Sequence, residues 1–317
     1  MKGVVLDLKS IDNSDMDWSP LKNIMANWQY YDITHVNDVA SRIGSSEIVV
    51  SNKVPLTAAH FAQLPNLKLI CVAATGTNNV DLSAARERRI RVTNVTGYAT
   101  PSVVQHVFAL ILSLTTRLNQ YQGAVRKNRW QRSEVFCLLD YPIHELAGKT
   151  LGIIGYGELG KAVAQLGEAF AMQVLVAEHK GKPPRDGRDS LENVLAQSDV
   201  ISLHCPLNPD TKNLIGHDEL AIMKPGALLI NAARGGIVDE VALIEALRQQ
   251  RIGGAGFDVL TEEPPVTGNP LLEAELPNLI VTPHIAWASV ESRQRVINEL
   301  ALNIQAFLDG KQRNVVA

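Results

Sequence analysis

Residues 149–160 read KTLGIIGYGELG. Leu151, Ile153 and Ile154 form a short apolar run of strand type, and Leu159, Val163 and Leu166 then follow at helical spacing. Between the two, Gly155–Gly160 fits G-x-G-x-x-G, and a strand, a glycine turn and a helix in that order form the context of a dinucleotide-binding turn. Each part has a physical task. Gly155 permits the tight turn, Gly157 lets backbone N–H groups approach a pyrophosphate, and Gly160 lets the helix pack on the strand, with Glu158 and Leu159 in its first turn. About twenty residues on, MQVLVAE (172–178) ends in Glu178. A carboxylate there can accept both ribose hydroxyls and repel a 2′-phosphate, so the expectation is NAD, with NADH favoured over NADPH. A glycine-rich turn followed by a surface Glu is the competing reading, and the coincidence of all the parts argues against it.

Outward from this turn the chain alternates β-rich runs with helical patterns, as parallel α/β architecture requires. The later series comprises KTLGIIG (149–155), MQVLVAE (172–178), DVISLHC (199–205), ALLINAA (227–233), IGGAGFDVL (252–260) and NLIVTPH (278–284). The earlier series comprises GVVLDL (3–8), WQYYDI (28–33), EIVVS (47–51), LKLICV (67–72) and IRVTNV (90–95). Thr57 and Asp81 stand where they can cap the helical patterns 57–64 and 81–89. The spacing therefore predicts an α/β protein with two doubly wound parallel sheets. Thr100-Pro101 opens a long helical pattern in which Val103, Val104, Val107, Phe108, Leu110, Ile111 and Leu114 spread over more than one face. Such a helix is expected between domains or subunits. The last helical face carries Ile297, Leu300, Ala301, Ile304 and Leu308.

The composition narrows the partners. Of 317 residues, 46% are hydrophobic and 20% charged, ordinary for a globular protein. Thirty basic residues against 33 acidic ones give −3, and no basic stripe of the nucleic-acid-binding kind is present. RERRIR (86–91) and RKNRWQR (126–132) read as solvated helix ends, where cations suit the helix dipole. The apolar stretch 103–114 is broken by Gln105, His106 and Ser113, so no membrane span is expected. The start MKGVVLDLKS lacks a signal-peptide pattern and Cys71, Cys137 and Cys205 form no disulfide or metal framework. The expectation is a cytoplasmic protein with no metal site.

In open α/β sheets ligands bind beyond the carboxyl ends of the strands. In the later series those ends carry His204-Cys205-Pro206, Asn231 and Arg234, Asp258 with Glu262 and Glu263, and His284. An Arg, a Glu and a His on one rim suit hydride transfer to a carbonyl acid. A guanidinium grips a carboxylate in bidentate fashion, and a His exchanges the hydroxyl proton. A Glu beside the His fixes its tautomer and favours the protonated ring. Singly, each has a plainer reading: Arg234 as a surface charge, Glu263 as a loop acid, His284 as a core histidine. His204 competes with His284, but no acid follows it closely and Pro206 restricts the chain, so His204 reads as structural. In the earlier series CVAATGTNNVD (71–81) ends a strand in a loop where the N–H groups of Gly76 and Thr77 could bind a small carboxylate. A plain capping loop fits those residues equally well.

At this level of detail the sequence closely resembles the D-isomer-specific 2-hydroxyacid dehydrogenase family over nearly its whole length. The resemblance rests on LAGKTLGIIGYGELG, LHCPLNPDTKNLI, MKPGALLINAARGGIVDE, GAGFDVLTEEPP and NLIVTPHIAW, in the family's order and spacing. It implies a catalytic set of Arg234, Glu263 and His284. It also implies that Asp258 holds the nicotinamide amide, that Ala232, Ala233, Arg234, Cys205 and Pro206 line the cofactor, and that Thr75–Thr77 is the substrate loop. TGTNNVDL, VTGYATPSVVQHVFALIL and FCLLDYPIHELAGKTLGIIGYGELG are most similar to glycerate dehydrogenases, also called hydroxypyruvate reductases. One departure is Gln105, where many relatives have Glu. The implied fold is a Rossmann NAD-binding domain over 98–287 and a smaller flavodoxin-like substrate domain over 1–97 and 288–317, with the site in the cleft between them. The implied reaction is NADH-dependent reduction of hydroxypyruvate, with glyoxylate as a second substrate, to D-glycerate and its reverse, in a homodimer. Two alternatives stand beside it: a dehydrogenase for another small D-2-hydroxy acid, and an NADH-sensing co-repressor on the same fold. The intact Arg, Glu and His set argues against the co-repressor.

Overall fold

The computed structural model describes residues 1–317, which divide into two compact units, Met1–Ala99 with Trp287–Ala317, and Thr100–Ala286. The first unit holds a five-stranded sheet: β1 (Gly3–Val5), β2 (Trp28–Tyr30), β3 (Ile48–Ser51), β4 (Leu69–Val72) and β5 (Arg91–Thr93). Its order is β2-β1-β3-β4-β5 and every pairing is parallel, with Gly3 opposite Ile48 and Ile48 opposite Leu69. Parallel strands are covered on both faces, and the two-residue alternation sorts their side chains between two cores. Val4, Val49, Ile70 and Val72 pack on one face with Val39, Ile43 and Phe61. Val5, Ile48, Val50, Leu69 and Cys71 pack on the other with Leu21, Val296, Ile297, Leu300 and Ile304. The last four belong to the helix Val290–Leu308, so this face is closed by residues more than two hundred positions away. The final residues then return to the sheet edge: Val315 bridges Thr93, and the Val92 amide donates to the Ala317 carbonyl at 2.9 Å.

The second unit holds β6 (Thr150–Ile154), β7 (Gln173–Val176), β8 (Val200–Leu203), β9 (Leu228–Asn231), β10 (Gly254–Phe257) and β11 (Leu279–Val281). They pair in parallel in the order β11-β10-β9-β8-β6-β7. The order reverses between β6 and β8, the position where doubly wound sheets take their ligands. Beyond β7 a further strand is reduced to one bridge, Ala177 to Asp189. The long helix, Thr100–Thr115, packs on β9, β10 and the helix Glu158–Ala169, and its apolar positions Val103, Val107, Leu110, Ile111 and Leu114 are buried. No helix is long and apolar enough to cross a membrane.

Candidate active site

β6 ends at Ile154, and Gly155 turns the chain with φ +96°. A Cβ on Gly155 would lie 2.5 Å from the Cys205 amide nitrogen, so both conformation and space demand glycine. A Cβ on Gly160 would lie 2.1 Å from the Gly155 carbonyl oxygen, blocking the close start of the helix Glu158–Ala169. At Gly157, the N-cap of that helix, a Cβ would meet no protein atom. The space over Gly157 is open, and the first-turn amides that follow have no acceptor within the helix. This fits a pyrophosphate at a helix N-terminus. Glu158 in that turn accepts a hydrogen bond from the Thr100 hydroxyl, and Leu159 is half-buried next to Gly160.

Glu178, just past β7, is buried with its carboxylate engaged. Arg185 Nε donates to Oε2 at 2.5 Å and Arg185 Nη2 to Oε1 at 2.8 Å. The His179 amide donates to Oε1 at 3.0 Å, and His179 Nδ1 lies 2.7 Å from the same oxygen. The Arg185 guanidinium, with help from His179, holds this carboxyl well below the usual carboxylate range.

After β8 the His204 amide donates to the Ile154 carbonyl at 2.7 Å, tying the two central strand ends together. Part of the residue reaches the surface, but Nδ1 is buried without a hydrogen-bond partner and Nε2 lies 2.8 Å from Ser202 Oγ. Burial pushes the imidazole down to about 4, so His204 is neutral at physiological pH. Burial likewise pushes the Cys205 thiol up to about 11, leaving a small apolar group beside Pro206.

The remaining residues form one connected construction. Asn231, fully buried at the end of β9, donates from Nδ2 to the Arg234 carbonyl at 2.9 Å and accepts from the Ala233 amide at 3.1 Å. It thereby shapes the turn Ala232–Arg234. The Arg234 side chain is exposed; its Nη1 donates to the Ala233 carbonyl at 2.6 Å and no carboxylate pairs with it. Gly235 seats this turn on the chain leaving β10, since a Cβ there would lie 1.8 Å from the Leu260 carbonyl oxygen. The Leu260 amide donates to Glu263 Oε1 at 2.8 Å, and Glu263 Oε2 lies 2.6 Å from His284 Nδ1. Both members of this pair are about one-third exposed, at 33% and 28%. His284 itself has φ +55°, and its amide donates to the Asp258 carbonyl at 2.9 Å. The Asp258 carboxylate, 1% exposed, accepts from Thr282 Oγ1 at 2.5 Å and from the Ile285 and Ala286 amides at 2.9 and 2.7 Å. His106 Nε2 lies 3.0 Å from Thr282 Oγ1, which joins the long helix to the same network.

In the first unit the loop after β4 is fixed separately. Thr75 Oγ1 donates to the Val95 carbonyl and Asn94 Nδ2 to the Thr75 carbonyl, both at 2.8 Å, and the Val80 amide donates to the Thr77 carbonyl at 3.0 Å. Thr75 is exposed and Gly76 and Thr77 half-exposed. The nearby ends of β1 and β3 are joined by buried Asp7, which accepts from the Asn52 and Lys53 amides.

Residues 108–286 match the model of the D-isomer specific 2-hydroxyacid dehydrogenase family, NAD binding domain. The chain belongs to this family. It is 48% identical over 316 residues to a glycerate dehydrogenase of Methylorubrum extorquens, covering 99% of this chain and 98% of that protein. It is 38% identical over 323 residues to a hydroxypyruvate reductase of Blautia hydrogenotrophica, covering 100% and 99%. Among solved structures, D-lactate dehydrogenase of Aquifex aeolicus, complexed with NAD and lactic acid, superposes with a TM-score of 0.83 at 31% identity over 99% of both chains. The protein is thus an NAD-dependent D-2-hydroxyacid dehydrogenase built on two parallel α/β sheets.

Within the dehydrogenase, the structure brings Glu263 and His284 into direct contact and leaves Arg234 unpaired on the adjoining turn. Sequence reading passes over two residues that hold this arrangement, Thr282, which bonds Asp258, and Gly235, which seats the Arg234 turn, and over Arg185, which occupies Glu178 at the end of β7. Only Gly235 leaves a trace in the sequence, as the first glycine of Arg234-Gly235-Gly236. Thr282 bonds back to Asp258 from the next strand, and Arg185 reaches Glu178 only because the loop 179–188 folds back over it.

Proposed function

We propose that this dehydrogenase reduces hydroxypyruvate to D-glycerate with NADH and catalyses the reverse oxidation, with glyoxylate as a second substrate. The observation that carries the reading is the 2.6 Å His284–Glu263 contact, with Arg234, on the turn that Gly235 seats against Leu260, having no carboxylate partner. The dinucleotide, when bound, supplies hydride to the C2 carbonyl carbon. Arg234 grips the substrate carboxylate and polarises the carbonyl oxygen. His284, held through Nδ1 by Glu263, presents Nε2 as the proton donor to the developing alkoxide and recovers that proton in the oxidation. Asp258 keeps the His284 turn in register and, with Ala232, Ala233, Cys205 and Pro206, lines the cofactor; Thr75–Thr77 contributes amides to the substrate carboxylate. The glycerate dehydrogenase and hydroxypyruvate reductase relatives support this choice of substrate.

The working form in this proposal is a homodimer. Pro101, Val104, Phe108, Leu112, Leu166 and Phe170 line an apolar groove of about 600 Å³, and Phe136 and Leu139 in the same unit are 90% and 84% exposed. A second copy of the chain docked on this unit would cover these apolar side chains. Three free cysteines suit a reducing compartment, in keeping with the cytoplasm. The test is a panel of 2-keto acids assayed by loss of NADH absorbance, alongside sedimentation of the free enzyme. Hydroxypyruvate is expected to give the highest kcat/KM and the enzyme to sediment as a dimer; another keto acid in first place overturns the substrate assignment, and a monomer overturns the dimer.

A further inference from the structure

The loop that follows β7 reads His179-Lys-Gly-Lys-Pro-Pro-Arg-Asp-Gly-Arg188, with four Lys or Arg side chains against Asp186. Its base is fixed, because Ala177 bridges Asp189 and the Glu178 amide donates to the Asp189 carbonyl at 2.8 Å. The loop therefore returns over the Glu178 carboxylate. The acid lies beneath, its side chain 2% exposed, and the cations lie above, with Arg185 62% exposed and Arg188 Nη1 3.7 Å from Glu178 Oε1. Lys180 is turned away to Glu219 at 2.6 Å. The rule that an acid at this strand end selects NADH depends on a free carboxylate that accepts ribose hydroxyls and repels a 2′-phosphate. Here Arg185 takes both oxygens. Of the five guanidinium N–H donors, that pair uses the Nε–H and one Nη2–H and leaves the others for an outside acceptor.

We infer that Arg185 and Arg188 form a subsite for the 2′-phosphate of NADPH, and that the enzyme accepts NADPH as well as NADH. Arg185 is the specificity-determining residue. It neutralises the acid that would repel the phosphate and offers its spare donors to the phosphate oxygens, while Arg188 adds a second charge. The inference rests on the reading of Gly155–Gly160 and the end of β7 as the dinucleotide site.

Fluorescence titration of the free enzyme with NADPH and NADH tests it without turnover, and competition by adenosine 2′,5′-bisphosphate against ADP isolates the phosphate. Wild type is expected to bind NADPH no more than about tenfold more weakly than NADH, and a wider gap overturns the inference. Arg185→Ala is expected to raise the ratio of the NADPH to the NADH dissociation constant at least tenfold, the scale of a charge-assisted hydrogen bond, and to weaken adenosine 2′,5′-bisphosphate relative to ADP equally. Arg188→Ala, which leaves the Arg185–Glu178 pair in place, is expected to move both ratios in the same direction. Ratios unmoved by either variant overturn the subsite. If NADH binds and NADPH does not, this inference alone falls; if neither binds, the dinucleotide reading falls with it.

Discussion

Two histidines stand at strand ends of the same sheet, and their surroundings are opposite. His204, after β8, has one ring nitrogen on a serine hydroxyl and the other buried without a partner, and burial keeps it neutral. His284, after β11, is partly exposed and has a carboxylate 2.6 Å from Nδ1. Proton transfer needs a ring that is oriented and within reach of a substrate, and only the second environment, with its carboxylate partner and partial exposure, provides both. The first provides packing: the His204 backbone sits where a Cβ on Gly155 would fall, so it helps to shape the glycine turn.

The sharpest way to break this contrast is to remove each ring. His284→Ala is expected to cost on the order of 10²–10⁴ in kcat, the range for a lost general acid, with the melting temperature and NADH affinity close to wild type. A variant that keeps its rate would move the proton donor elsewhere. His204 is expected to act on stability instead. Its folded pKa of about 4 lies below the unfolded value of about 6.5, so its contribution is complete above pH 6.5 and is lost as pH falls towards 4. At about 1.4 kcal/mol per unit the loss approaches roughly 3 kcal/mol. Melting curves of wild type and His204→Phe between pH 7 and pH 4.5 check this, and the acid-side fall should be shallower in the variant. Parallel curves would contradict it.

Two smaller effects sharpen the active side. Arg234→Lys keeps the charge but not the planar fork, so KM for hydroxypyruvate is expected to rise about tenfold or more, the scale of a lost charge-assisted bond, with coenzyme binding near normal. A defect confined to coenzyme binding would reassign Arg234. Glu263→Gln keeps a hydrogen-bond acceptor and removes the charge, with an expected loss of about five- to tenfold in kcat/KM, near 1 kcal/mol. A loss as large as that of His284→Ala would mean that the glutamate takes part in the chemistry itself.

The glycine turn is legible in the sequence because its requirements are local: Gly155 and Gly160 are dictated by neighbours within six residues or by the strand next to them. The strand series is legible for a similar reason, since buried parallel strands read as apolar runs, though several are shorter than the runs suggest, as in β11 at Leu279–Val281 within NLIVTPH. What the path of a loop or the next strand decides is not legible. Nothing near Glu178 announces that Arg185 occupies it, and nothing near Asp258 announces Thr282 as its donor. The sequence locates an acid; the fold decides which of its lone pairs remain available.

The helix Val290–Leu308 and the edge residues after it complete the first sheet, and this sets an order of assembly. A chain emerging from the ribosome presents β1–β5 long before Val296, Ile297, Leu300 and Ile304 exist to cover Val5, Val50 and Leu69. The second unit, contiguous over Thr100–Ala286, has all of its residues in hand earlier. Domains generally fold as units during synthesis, so the middle of this polypeptide matures first, and its opening hundred residues wait, one apolar face uncovered, for the last thirty.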